Sequence, residues 1–409
     1  MRRNDTATAG QREPELDSAQ RQQLARVREF LIRQVGAAGG FLSFEHFMDT
    51  VLYAPGLGYY SGGAHKLGAA GDFITAPELS SLFGRCVAQQ CAQILQAVSP
   101  RGRLEAAPRC ILEIGAGSGR LAVDVLRRLE QAEALPDRYW ILEISADLIE
   151  RQRQLIGASL PHLLARVEWL DRPPHDSFDG VILANEVLDA LPVARFRWSR
   201  AGIEEMGVVL DAGANSGFGW AARAADPVLL RACEALHAGG GAWDDGYVSE
   251  YCPRAVAFSV AVTSALRRGA VLWFDYGLPR SQYYLPERHE GTLTCHFRHR
   301  AHDDVFLYPG LQDITAWVDF TLLAEASREA GCELAGFTTQ AHFLAGTGID
   351  EEMQDAAAGD DNAFARLANQ ARQLMLPGEM GERFKAMAWL RGIECELRGF
   401  ALQDLRHSL

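Results

Sequence analysis

A chain of 409 residues is long enough to bury a substantial core, and with 48% apolar and 23% charged residues it has the make-up of an ordinary globule without repeats or low-complexity tracts. Its net charge of −13 sets the average field against phosphate backbones and anionic headgroups, which argues against nucleic acid as a partner and favours one that carries Arg or Lys. The 8 cysteines contain no Cys-x-x-Cys pair, so reduced thiols are expected. The longest strongly apolar stretch, residues 255–266, falls short of the roughly 20 needed to span a bilayer. Residues 1–23 lack the apolar core of a secretory leader, and a cytoplasmic protein without membrane insertion is expected.

In chain order, residues 1–20 read as a disordered polar tail, and Leu24, Val27, Phe30 and Leu31 predict a helix over 20–35. The Gly- and aromatic-rich stretch 41–76 reads as ordered loop, and Pro77 opens a helix over 78–98. Residues 21–108 thus form an N-terminal helical and loop region, ahead of a larger domain over 109–409. That domain begins with a strand at 109–114, a glycine turn, and a helix with Leu121, Val125 and Leu129 on one face. Strands at 139–144, 166–170 and 178–183 alternate with a helix at 146–156, the rhythm of a parallel sheet. An insertion over 194–250, with a hairpin, interrupts it. A helix at 253–268 and a strand at 270–276 restore the alternation, and an irregular stretch over 277–317 makes a second insertion. A helix at 318–330, a strand at 332–339 and a last strand near 384–393 complete the reading.

The turn Glu113-Ile-Gly-Ala-Gly-Ser-Gly119 lets backbone approach a ligand closely, since Gly115, Gly117 and Gly119 carry no Cβ. Glu143, 24 residues beyond Gly119 at the end of the next strand, is placed to accept both hydroxyls of a ribose. Either a dinucleotide or S-adenosylmethionine fits these two features. The compact turn lacks the longer spacing of a pyrophosphate site, and Glu113 offers a carboxylate to an ammonium, which favours S-adenosylmethionine over a nicotinamide cofactor.

After the fourth strand, Asn185-Glu-Val-Leu-Asp-Ala-Leu-Pro192 brings an amide and two carboxylates to the crevice edge where such sheets bind ligands. Glu186 is the candidate to hold and polarise a cationic acceptor, and a bidentate carboxylate would fix the plane of a guanidinium. Asp189 either joins it or caps the following segment. Glu250, in Val248-Ser-Glu-Tyr-Cys-Pro253, and Asp275, in Phe274-Asp-Tyr-Gly277, are candidates for a second clamp carboxylate, with Asp275 alternatively capping a turn. His296, His299 and His302 stand three apart, but no metallohydrolase motif accompanies them, and no metal is expected.

With these residues in view, the sequence resembles the MidA-like family of S-adenosylmethionine-dependent methyltransferases, whose mitochondrial members assist assembly of respiratory complex I. The resemblance rests on Tyr53-Ala-Pro-Gly-Leu-Gly-Tyr-Tyr60, Gly71-Asp-Phe-Ile-Thr-Ala-Pro-Glu78, the glycine turn, Glu143-Ile-Ser145, residues 185–192, Asp275-Tyr-Gly277, Gly291-Thr-Leu293, and Pro309-Gly-Leu-Gln-Asp-Ile-Thr315 with Val318-Asp-Phe320. It implies a class I, Rossmann-like α/β methyltransferase fold with a mostly parallel sheet of about seven strands, one reversed. It implies that the N-terminal region covers the cofactor through the segment bearing Asp72, Thr75 and Pro77, with Asn185 beside it. It further implies methylation of a protein arginine, in the mitochondrial branch on a core subunit of complex I. A non-catalytic assembly factor that binds S-adenosylmethionine and a small-molecule methyltransferase are the competing expectations. Arg120, where a small hydroxyl residue is frequent, and residues 211–246 depart from the family pattern.

Overall fold

In a computed structural model describing residues 15–61, 75–99, 107–239 and 243–409, the apolar runs of the chain become the strands of a central sheet. Its seven principal strands are β1 (Arg109–Ile114), β2 (Arg138–Leu142), β3 (Val167–Leu170), β4 (Phe178–Asn185), β5 (Leu266–Leu278), β6 (Glu333–Thr339) and β7 (Phe384–Arg391). They lie in the order β6-β7-β5-β4-β1-β2-β3, and the short strand Val318–Asp319 pairs with the end of β5. Pairing is parallel from β5 through β3, while β7 runs antiparallel to both neighbours. The fold is the class I methyltransferase sheet, Rossmann-like, with its reversed seventh strand.

Near-continuous apolar strands such as Cys110–Leu112 and Val181–Leu183 are covered on both faces, as parallel sheets require. Helices Ser81–Val98 and Arg120–Gln131 bury Phe83, Val87, Leu121 and Val125 against one face. Helix Phe320–Glu329 buries Phe320 and Leu323 against the other. The order β4-β1 at the centre marks the point where the chain reverses direction across the sheet, and the carboxyl ends of those strands open the ligand crevice.

Several boundaries differ from the sequence reading for identifiable reasons. Within the stretch expected to be loop, Phe44–Tyr53 is a helix, and Phe44, Phe47, Met48, Val51 and Leu52 fall on one buried face at helical spacing. The expected helix over 78–98 is two helices, Ala76–Leu79 and Ser81–Val98. Ser80 between them is extended (φ −158°, ψ 139°), and its hydroxyl caps Leu82 at 3.3 Å. The helix expected to run to 268 ends at Thr263, because β5 begins at Leu266 to pair with Phe178 of β4.

The first insertion is a separate sheet of strands Ala194–Ser199, Gly202–Leu210, Phe218–Ala224 and Val248–Tyr251. The N-terminal region supplies its fifth strand, Leu42–Ser43, which pairs antiparallel with Gly207 and Val208. Helices Ser18–Ala37 and Phe44–Tyr53 share a core with this sheet and with Ile314. The second insertion contains the hairpin Thr294–Phe297 and Arg300–His302. The tail expected over 1–20 lies outside the described residues as far as 14, and the first helix already begins at Ser18.

Candidate active site

The glycine turn follows β1 directly. Gly115, Gly117 and Gly119 all have positive φ (63°, 55° and 88°), a conformation costly to any residue with a Cβ. Gly119 also has Gln152 packed against it: a Cβ there would lie 3.2 Å from the Gln152 backbone. Gln152 in turn donates to the Gly117 carbonyl at 2.9 Å and to Glu143 Oε2 at 3.3 Å, and accepts from the Trp169 indole at 2.8 Å. One side chain thus fixes the turn relative to the ends of β2 and β3.

Glu143 accepts a second bond from the Ser145 amide at 2.9 Å, and burial pushes its carboxyl above the usual range. The next residue, Ile144, is 70% exposed, an unusual setting for a large apolar side chain. Glu113 is buried on β1 and accepts from the Tyr139 hydroxyl at 2.7 Å. Burial raises it to about 7, with the Tyr139 bond opposing the shift and Glu143 adding to it. A buried carboxylate whose neighbours are a phenol and a second acid suits an ammonium group. The residues present therefore fit an amino-acid-bearing nucleoside such as S-adenosylmethionine.

The short helix Ala76–Leu79 lies over this turn. Pro77 occupies its first turn and Thr75 precedes it. Glu78 accepts from the Ser118 hydroxyl and pairs with Arg120 at 3.8 Å, which gives Arg120 a partner in the covering segment. Asp72 lies outside the described residues.

Beyond β4 the chain bends sharply. Glu186 has φ +54°, a left-handed conformation that costs a non-glycine residue about 1–3 kcal/mol and is found where surrounding structure imposes it. The imposing group is Asp275 at the end of β5. Its Oδ2 accepts from the amides of Val187 (3.2 Å), Leu188 (2.9 Å) and Asp189 (3.3 Å). Asp275 is thus a turn cap, the alternative role open to it, though the turn is the one after β4 rather than its own. Glu186 receives the Asn185 amide at 3.1 Å, and Asn185 Oδ1 is buried without a hydrogen bond. Burial and the nearby Asp189 raise Glu186 to about 8, against opposing bonds from Asn185 and the Ala76 amide.

Asp189, 5% exposed, accepts from the Tyr276 hydroxyl at 2.5 Å, and its Oδ1 makes no well-formed hydrogen bond. Burial raises Asp189 to about 6 and lifts Asp275 further. Among the described residues, no lysine or arginine forms an ion pair with Glu186, Asp189 or Asp275.

Glu250 has a different setting. It is 1% exposed, faces Arg195 at 3.6 Å, and accepts from the Thr292 amide at 2.8 Å and hydroxyl at 3.2 Å. Gly291 makes room for it, since a Cβ there would fall 2.1 Å from Glu250 Oε1. Its bonds hold the 291–292 loop, and the structure does not bring it into contact with Glu186. His296 and His302 sit across from Ala301 and Cys295 in the hairpin, with His299 in its turn, so the three do not converge. Among the described residues no group of three His, Cys, Asp or Glu is disposed to hold a metal.

Tyr53, Tyr60, Tyr276 and Asp313 also belong to this site, with no role legible from their local spacing. Each stands in a motif that carried the family resemblance, which was the available signal. Tyr276 bonds Asp189, Tyr60 donates to Asp313 at 3.1 Å, and Tyr53 donates to the Ala190 carbonyl at 2.8 Å.

A sheet of this order with a reversed seventh strand, a glycine turn after β1 and a carboxylate closing β2 define a class I S-adenosylmethionine-dependent methyltransferase. A family model described as "Putative S-adenosyl-L-methionine-dependent methyltransferase" matches residues 86–338. The chain belongs to this MidA-like family. It is 30% identical to the zebrafish (Danio rerio) mitochondrial protein arginine methyltransferase NDUFAF7 over 85% of its own length and 83% of that relative. To the human protein of the same name it is 29% identical, over 86% and 80%. A crystal structure from Burkholderia thailandensis with S-adenosyl-homocysteine bound is 42% identical and superimposes with a TM-score of 0.90, over 97% of this chain and 100% of that one. S-adenosylmethionine is the cofactor. No helix among the described residues is long and apolar enough to cross a membrane.

Proposed function

We propose that this methyltransferase acts on an arginine of a protein acceptor. The observation that carries the reading is the cluster of half-buried Glu186 with buried Asp189 and Asp275 at the mouth of the cofactor crevice, with no cationic partner among the described residues. Buried acids in this position either hold protons or take in a cation, and an arginine side chain brings both a permanent charge and a planar fork of donors. The names of the relatives, protein arginine methyltransferases, support the same acceptor. A subunit of respiratory complex I, or its counterpart in an NADH dehydrogenase, is the protein we propose to carry it.

S-adenosylmethionine, when bound, supplies an electrophilic methyl group. Glu113 and Glu143 hold its ammonium and ribose, with Gly115, Gly117 and Gly119 admitting it close to the backbone. Asn185, Thr75 and Pro77 complete the enclosure. Glu186, forced inward by its left-handed backbone, accepts one edge of the guanidinium and directs the remaining nitrogen toward the methyl group. The proton released on transfer passes to Asp189 Oδ1, the oxygen with no well-formed hydrogen bond. Glu250 serves this site through the loop it holds rather than by contact.

The test is incubation with methyl-labelled S-adenosylmethionine and candidate complex I subunits, followed by mass spectrometry. Methylarginine in the wild-type reaction and its loss with Glu186→Gln, at unchanged S-adenosylhomocysteine affinity, are the expected results. Label found only on small molecules would overturn the protein acceptor. Assembly activity retained by Glu186→Gln would instead favour a non-catalytic assembly factor.

A further inference from the structure

The geometry points to Asp313, with Tyr60 and Tyr53 from the N-terminal region, as the second wall of the acceptor site, making it selective for a guanidinium over a primary ammonium. This rests on the reading of the Glu186 and Asp189 cluster as an acceptor site. Asp313 is 1% exposed and opens the strand Asp313–Thr315, more than a hundred residues beyond Asp189. The two are nevertheless held in register: the Ala316 amide, just past that strand, donates to the Asp189 carbonyl at 2.9 Å. Asp313 Oδ1 accepts from its neighbour's amide, that of Ile314, at 3.0 Å and from the Tyr60 hydroxyl at 3.1 Å.

The aromatic wall is rigid. The rings of Tyr53 and Tyr60 stack with centroids 5.4 Å apart and 18° between planes, and Tyr59 packs edge-on against Tyr60. Tyr53 donates to the carbonyl of Ala190, next to Asp189. Burial raises both phenols, and the charges of Asp313 and Asp189 add to the shift. Asp189 Oδ1, buried and without a well-formed bond, is the second mark of a ligand position among these groups.

The chemistry follows from where the acids originate. Glu186 and Asp189 come from the bend after β4, whereas Asp313 comes from the second insertion and is oriented by a phenol of the N-terminal region. Acids on separate elements suit a cation with donors along several edges. A guanidinium presents five N–H groups in a plane and bridges them; an ammonium presents three from one point and does not. The N-terminal region then contributes to acceptor choice as well as to covering the cofactor.

The test uses the full chain saturated with S-adenosylhomocysteine and two probes, agmatine and 1,4-diaminobutane, with binding read by titration calorimetry or saturation-transfer NMR. The wild type is expected to bind agmatine at least about tenfold more tightly than the diamine. Asp313→Asn is expected to erase most of that preference while keeping S-adenosylhomocysteine affinity. Tyr60→Phe, which removes one hydroxyl and leaves the ring stack, is expected to reduce it severalfold and decides the matter if the Asp313 variant fails to fold. Agmatine preference unchanged in the folded variants overturns this inference alone. A wild type that binds neither probe overturns the reading of the cluster as a cation site, and this inference with it.

Discussion

Tyr139 on β2 donates its hydroxyl to Glu113 on β1 at 2.7 Å, and this bond favours the ionised form of an acid that burial holds at about 7. Tyr139→Phe removes that support and moves Glu113 further up. S-adenosylhomocysteine affinity is expected to fall about tenfold at pH 6–7, the size of a lost charge-assisted hydrogen bond, with the deficit shrinking by pH 8. Calorimetric titrations at several pH values check it.

Gly119→Ala places a Cβ at φ +88° and 3.2 Å from the Gln152 backbone. A loss of about 1–3 kcal/mol is expected from the backbone alone. Because Gln152 spans Gly117, Glu143 and Trp169, cofactor binding should weaken in parallel. Chemical denaturation with and without S-adenosylhomocysteine measures both effects.

The raised acids make a prediction about pH. Glu186 at about 8, Glu113 at about 7 and Asp189 at about 6 stand above their ordinary values, so between about pH 4.5 and 8 the folded chain binds more protons than the unfolded one. Stability of the cofactor-free protein therefore falls as pH rises through that window. Glu186→Gln removes one contributor, and its melting temperature should exceed the wild type's at pH 8 and match it near pH 5.

Asp275 caps three amides with one oxygen, and an asparagine retains an acceptor there while an alanine does not. Asp275→Ala is expected to cost about 2–4 kcal/mol, with Asp275→Asn losing less. Denaturant midpoints separate the two.

Ile144 is exposed beside Glu143, and we propose that it covers the adenine of the bound cofactor. Ile144→Ala should weaken S-adenosylhomocysteine about tenfold through lost apolar contact and leave the melting temperature of the cofactor-free chain unchanged. Binding and melting curves on one preparation check both halves.

The sequence made some of this site readable and concealed the rest for a physical reason. Glu113, the glycines and Glu143 belong to a strand-turn-helix-strand run in which function follows from local spacing. The bend at 185–192 was legible as a polar group at a strand end. Its left-handed Glu186 was not, since the cause lies at Asp275, on another strand. Asp313 and Tyr60 are joined to it only through tertiary packing. The Phe44–Tyr53 helix was readable from its own periodicity, and the glycines and aromatics around it obscured that pattern.

The pairing of Leu42 with Val208 bears on how the chain is made. Residues near the amino terminus leave the ribosome early, yet their sheet partner and the Asp313 that Tyr60 orients are synthesised much later. The N-terminal region therefore waits for most of the chain before it docks, a high-contact-order step that falls late in folding. The proposed acceptor site is thus finished only when its earliest and later-made parts meet, and a truncated translation product would carry the glycine turn without that second wall.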